Sequence, residues 1–169
     1  MIEKRAILLD TCIVRNLFSK EKLLRERTEQ FLDELRKSDN KLYVSEYTSY
    51  ELLRGIHSSK KSKAEEIIAG FDIVPTSKNR LDRATRLYTA LHENPATKSS
   101  LASISDIDIF IGSLIFNDQK PLLLTADYND FPRPFFDEVY KQDIQYKKAK
   151  GAQCCMYYYF LEANLEALF

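Results

Sequence analysis

Four short apolar runs, each bounded by polar or turn residues and separated by longer amphipathic stretches, constrain this chain more than any other feature. Ala6–Leu9, Leu42–Ser45, Phe71–Pro75 and Pro121–Thr125 read as strands. Glu21–Arg36 places Leu24, Phe31, Leu32 and Leu35 on one side of a helical wheel. Lys78–His92 does the same with Leu81, Ala84, Leu87, Tyr88 and Leu91. Ser105–Asn117 is apolar on most sides, which predicts a helix buried against a sheet. Strands alternating with helices predict βαβ units with parallel pairing and right-handed crossovers. The expected fold is therefore α/β, a three-layer α/β/α sandwich around a central parallel sheet.

With 169 residues, only four Gly and five Pro, the chain reads as a single domain over 1–169. Its core is expected over about residues 5–134, with 135–169 an extension packing on the domain or on a partner. Ser58–Lys63 and Asn94–Ser103 read as exposed loops. The tail is open to two readings. Asp143–Lys147 and Cys154–Leu161 pair as a hairpin, or C-C-M-Y-Y-Y-F-L-E-A-N-L-E-A-L is helical. Its Tyr-rich run favours strand and its end favours helix. Lys+Arg and Asp+Glu are both 25, so no bulk field draws a polyanion, and such binding must come from local basic patches. The apolar runs are too short to cross a bilayer, and the N-terminus lacks a signal-peptide layout. Cys12, Cys154 and Cys155 make neither a zinc spacing nor a disulfide framework, so a reduced cytoplasm is the expected setting.

Acids recur where the strands meet the helices. Asp10 closes A-I-L-L-D, Glu51 lies in the segment after L-Y-V-S, Asp108 opens D-I-F-I-G-S, and Asp127 and Asp130 follow L-L-L-T. In an open parallel sheet the carboxyl ends of the strands converge on one crevice. Carboxylates gathered there repel unless a cation sits among them, and oxygen-only ligation suits Mg²⁺ or Mn²⁺. Each acid also has a structural reading. Thr48-Ser-Tyr-Glu51 and Ser105-Asp-Ile-Asp108 both have capping-box spacing, and Asp130 before Phe131-Pro132 suits a turn. Asp10 is hardest to explain structurally, because an ionised carboxylate ending a buried strand is costly unless paired.

These blocks resemble the PIN-domain ribonucleases, above all the VapC-type toxins of prokaryotic toxin–antitoxin pairs. I-L-L-D-T-C-I-V-R-N-L-F resembles the opening block, and V-S-E-Y-T-S-Y-E-L-L-R-G-I the second. D-I-D-I-F-I-G-S-L-I-F resembles the third and L-L-L-T-A-D-Y-N-D-F-P the fourth, together spanning residues 6–132. The resemblance implies a metal-dependent endoribonuclease whose catalytic, metal-holding acids are Asp10, Glu51, Asp108 and Asp127. Asp106 is a nearby alternative to Asp108. Asp130 matches an acid that braces the loop, and Thr11 and Thr125 match hydroxyls that orient carboxylates or water. Gly112 stands where the family more usually has Ala, an exchange expected to be harmless. The tail beyond Pro134 is longer and more aromatic than a minimal toxin requires.

Mg²⁺ or Mn²⁺ is the implied cofactor and RNA the implied substrate. Arg15, Arg54, Lys60, Lys61, Lys63 and Lys98 are candidates to hold its phosphates, Arg54 the foremost. His57 and His92 read as surface residues. The implied partner is a small antitoxin placing a basic side chain among the acids, over a groove supplied by Ile13, Val14, Leu17, Phe18, Leu52 and Leu53. A homodimer is also implied, with Tyr157–Phe160 contributing to it or capping the sheet edge. The competing reading is a PIN-like binding or scaffold module without catalysis. A haloacid-dehalogenase-type phosphatase would need a second Asp where Cys12 stands. A dinucleotide-binding domain would need a glycine-rich turn that D-T-C-I-V-R lacks.

Overall fold

The computed structural model describes residues 4–98, 101–149 and 151–168. Six strands form one sheet: β1 (Ala6–Leu9), β2 (Lys41–Ser45), β3 (Asp72–Val74), β4 (Leu122–Thr125), β5 (Phe136–Lys147) and β6 (Gln153–Ala163). Their order is β3-β2-β1-β4-β6-β5. The first four pair in parallel, as the strand–helix alternation predicts. β6 then joins β4 antiparallel and β5 joins β6 antiparallel, so the sheet is mostly rather than wholly parallel.

Side chains alternate across the sheet and build two cores. Ile7, Leu9, Leu122, Leu124, Tyr158 and Phe160 face α1 (Thr11–Asn16), α2 (Lys22–Lys37), α3 (Glu46–Gly55) and α4 (Lys61–Ala69). Leu8, Leu123 and Leu161 face α5 (Lys78–Glu93) and α6 (Asp106–Ser113). Three layers result. No described helix is long and apolar enough to cross a membrane.

Several local expectations change. Ser58–Lys63 is a 3₁₀ turn (Ser58–Lys60) running into α4, not a loop. The helix expected to reach Asn117 ends at Ser113, after which Leu114, Ile115 and Phe116 donate to carbonyls three residues back, a tighter winding. Asn94–Ser103 is turns plus a 3₁₀ segment at Leu101–Ser103, its residues 99 and 100 lying outside the described ones.

The tail is a hairpin, longer than either half expected. Its Tyr-rich run alternates, with Met156, Tyr158 and Phe160 on the α2 side and Tyr157, Tyr159 and Leu161 on the other. Buried Tyr158 is accommodated because its hydroxyl meets the Thr28 hydroxyl at 2.7 Å and accepts from Asn16 Nδ2 at 3.0 Å. Of the two roles expected for Tyr157–Phe160, edge covering is the one seen: Phe160 and Tyr159 pair with Leu124 and Thr125 along β4, and β5 then forms the outer edge.

Gly112 is not a harmless exchange. A Cβ there would lie 2.8 Å from Phe136 Cζ and 3.4 Å from Phe131 Cδ1. Phe136 opens β5 and is fully buried, so the missing methyl makes room for the ring that seats the hairpin on α6.

Candidate active site

Asp10 follows β1 directly, and its backbone N–H donates to Leu124 O at 3.0 Å, tying the ends of β1 and β4. The carboxylate is buried. Oδ1 accepts from Thr11 N at 2.5 Å, while Oδ2 accepts from Cys12 Sγ at 2.9 Å and Thr125 Oγ1 at 2.7 Å. Burial pushes the Asp10 carboxyl above the usual range. The Cys12 and Thr125 bonds pull it back, and the Asp108 charge raises it again.

Cys12 is the residue that sequence reasoning missed: it counted there only against a zinc spacing, a disulfide framework and a phosphatase, never as part of the site. Its sulfur accepts from Ala126 N at 3.1 Å, so one thiol links Asp10 to the end of β4. Burial, reinforced by the Asp10 charge, holds that thiol protonated to well above its ordinary pKa. It serves as a donor to Asp10 rather than as a thiolate ligand or nucleophile. Its place two residues after Asp10, in the first turn of α1, was the available signal.

Asp108 sits in the first turn of α6 and completes a capping box with Ser105. Ser105 N and Oγ donate to its Oδ2 at 3.2 and 2.5 Å. Burial raises its carboxyl, the Ser105 bonds lower it, and the charges of Glu51 and Asp127 raise it. The capping role and the electrostatic role therefore coexist. Asp106, also in the first turn of α6, is exposed beside Ala84, Thr85 and Tyr88 of α5.

Glu51 is not a cap, which corrects the capping-box reading of Thr48–Glu51. α3 starts at Glu46, and Ser45 caps it by accepting from Thr48 N at 2.9 Å. Glu51 lies further along the helix, where Arg15 Nη2 donates to it at 3.2 Å. Arg54, the expected site cation, instead lies over the Tyr50 ring at 5.5 Å. Lys60, Lys61, Lys63 and Lys98 are exposed, as are His57 and His92.

Asp127 precedes and Asp130 ends a 3₁₀ turn (Tyr128–Asp130) after β4, and Asp127 N donates to Thr125 Oγ1 at 3.0 Å. Thr125 thus holds both Asp10 and the Asp127 loop. The Asp130 carboxyl is pushed up to about 7, first by burial and then by Asp108, Asp127 and Asp10. It shares the acids' field as well as standing in the turn. Among the described residues no three His, Cys, Asp or Glu side chains close into an ion-ready cage. The acids instead act on one another at range, as like charges with room to spread will do.

The donor chemistry fits a hard divalent ion. Oxygen ligands dominate, burial and neighbouring charge raise Asp10, Asp108 and Asp130, and Thr11 Oγ1 is buried beside Asp10 with no hydrogen-bond partner among the described residues. The apolar groove expected beside this site is not there: Ile13, Val14, Leu17 and Leu52 are buried core, and Phe18 and Leu53 are partly buried against it. A cavity of about 380 Å³ lies at the opposite, amino end of the sheet, lined by Ala6, Leu8, Arg80, Arg83, Asn117 and Pro121. It has no part in the acid crevice.

The chain matches the PIN domain model over residues 7–135 and belongs to the PIN domain family. PIN domains are generally nucleases that use divalent metals. No curated protein matches the chain. The matched span stops one residue before β5, so the hairpin lies outside it.

Proposed function

We propose that this chain is an Mg²⁺- or Mn²⁺-dependent endoribonuclease of the VapC type, acting in the cytoplasm as the toxin of a toxin–antitoxin pair. The observation that carries this reading is the mutual field of Asp10, Glu51, Asp108 and Asp127 at one end of the sheet. Those four side chains would hold the ion. When bound, it supplies Lewis-acid stabilisation of phosphate charge and makes water a better nucleophile near neutral pH.

The chain's own residues do the positioning. Thr125 and Cys12 fix Asp10 Oδ2, and Ser105 fixes Asp108 Oδ2, so two carboxylates are oriented before substrate arrives. The buried Thr11 hydroxyl, without a hydrogen-bond partner among the described residues, is placed to bind an enclosed water beside Asp10. Hydrolysis joins a water oxygen to phosphorus and breaks the P–O3′ bond, leaving a 5′-phosphate and a 3′-hydroxyl. The Arg15–Glu51 pair supports the antitoxin part of the reading, because a guanidinium already sits against one of the acids.

Purified protein should cut single-stranded or structured RNA in Mn²⁺, and Asp10→Asn should not. Equal cleavage by the two proteins would sink the nuclease reading and leave a binding module. The toxin role is tested by co-expression with the product of the neighbouring reading frame. A small protein that co-purifies and blocks cleavage is expected, and failure to find one removes that role.

A further inference from the structure

Tyr159 of β6 pairs with Thr125, the last residue of β4. Because β6 runs antiparallel, Gln153–Tyr158 continue past the carboxyl end of the parallel strands, where the acids stand. At roughly 3.3 Å per residue the projection is about 20 Å long. One of its faces is braced: Asn16 donates to Met156 Sδ and to Tyr158 OH, and Ala149 N donates to Glu21.

The opposite face carries a row of rings and cations. Tyr128, next to Asp127, has its ring 5.3 Å from that of Tyr159. Tyr159 and Tyr157 follow at 6.4 Å. Lys141 Nζ lies 3.7 Å from the Tyr157 ring centroid and 5.4 Å from that of Tyr159. At the other end Arg133 sits 5.7 Å over Tyr128 and donates to its hydroxyl at 2.5 Å. Tyr158 and Phe160 account for core filling on the braced face, whereas Tyr157 is 40% exposed and Lys141 and Arg133 are exposed. Aromatic faces flanked by cations are what unpaired bases and their phosphates bind, and a duplex keeps its base faces stacked away.

We propose that Tyr128, Tyr159 and Tyr157, with Lys141 and Arg133, form a wall that stacks the unpaired bases of single-stranded RNA and leads the strand to the acids. This rests on the ribonuclease reading for why RNA comes here. Asp143, opposite Tyr157 in the register, offsets part of the local positive charge, so ring stacking carries more of the affinity than phosphate contact.

The test is fluorescence anisotropy with an end-labelled single strand of about 12 nucleotides and the matching duplex, in EDTA so that the RNA stays intact. Wild type should prefer the single strand. Tyr157→Ala should weaken single-strand binding about tenfold, while Tyr157→Phe, which keeps the ring, stays within about twofold. Lys141→Ala should reduce the slope of log K against log salt by about 0.7. Both positions are exposed, and thermal melts confirm that the variants fold.

Single-strand binding unaffected by Tyr157→Ala, duplex bound as tightly as single strand, equal losses in Tyr157→Phe and Tyr157→Ala, or no RNA bound at all would each overturn the proposal. So would loss of a protein partner with RNA binding intact, which would assign the wall to that partner. Cleavage in Mn²⁺ by wild type and Asp10→Asn is measured alongside. Tyr157-dependent binding without Asp10-dependent cleavage defeats the nuclease reading alone, and the converse defeats the wall alone.

Discussion

The parallel and antiparallel halves of the sheet carry different kinds of chemistry. In the parallel half, Asp10 follows β1, Asp127 follows β4 and Asp108 opens α6, and burial and neighbouring charge work against the ionisation of Asp10 and Asp108. In the antiparallel half, two long strands carry rings that pack into both cores near β4, with Tyr140 and Tyr157 left exposed. Local stability is given up at the strand ends of the first half, whereas the second half joins the sheet through pairing and fit. A substitution in the parallel half should therefore damage function and spare the fold, and one at the joint with the hairpin should do the reverse.

The largest effect tests the first part of that contrast. Asp10→Asn should reduce RNA cleavage by more than about a hundredfold, beyond the roughly 10–100-fold usual for groups that only support a metal ligand. The fold should persist, with a melting temperature in metal-free buffer equal to or above wild type, because a buried charge has been removed. Cleavage assays and thermal melts on the same preparation check both, and an unfolded Asp10→Asn protein would erase the distinction.

Divalent ions should act on the same half in the opposite sense. At a hundred times its Kd, Mn²⁺ stabilises by about 2.7 kcal/mol, or about 5–10 °C for a chain of this size. Asp108→Asn should remove most of that gain. A melting temperature that Mn²⁺ leaves unchanged in wild type would contradict the assignment of these acids to an ion.

Gly112→Ala probes the joint. The added methyl would meet Phe136 Cζ at 2.8 Å, and a buried ring with close neighbours cannot move freely. Overpacking of this kind costs about 1–3 kcal/mol, so the melting temperature should fall by about 5 °C. Phe136→Leu combined with Gly112→Ala should recover part of the loss. Additive losses in the double variant would show that the two residues are not coupled.

The sequence revealed these halves unequally, for physical reasons. β1, β2 and β4 were legible because buried parallel strands read as continuous apolar runs, and the acids stood out against them. The tail was ambiguous because its Tyr-rich alternation and its E-A-N-L-E-A-L ending favour different periods. The structure spends the first on β6, which ends at Ala163, and the second on a 3₁₀ turn at Leu165–Ala167. The Phe136–Gly112 fit could not be read, since it depends on a contact between residues 24 positions apart in different elements. Cys12 was visible, but its hydrogen bonds reach Thr125 and Ala126 more than a hundred residues away. Arg15 rather than Arg54 reaches Glu51 because α1 packs beside α3, a placement that spacing within one helix does not reveal.

The smallest effect is a pH dependence that belongs to the parallel half alone. The folded-state Asp130 carboxyl holds its proton up to about pH 7, whereas its ordinary value is 3.8. Between those values the folded chain binds more protons at this site than the unfolded chain, so stability falls as pH rises through the window. The contribution is fully present below about pH 4 and lost above about pH 7. Because Asp130 is only half-buried, screening reduces its effect to on the order of 1 kcal/mol, or about 2–4 °C. Asp10 and Asp108 shift in the same direction, so wild type alone would not isolate the group. The difference between wild type and Asp130→Asn does. In metal-free buffer Asp130→Asn should gain on wild type as pH rises from 5 to 8, since it has no charge to place among the other acids. A difference that stays constant across that range, or that favours wild type at pH 8, would mean Asp130 does not share their field.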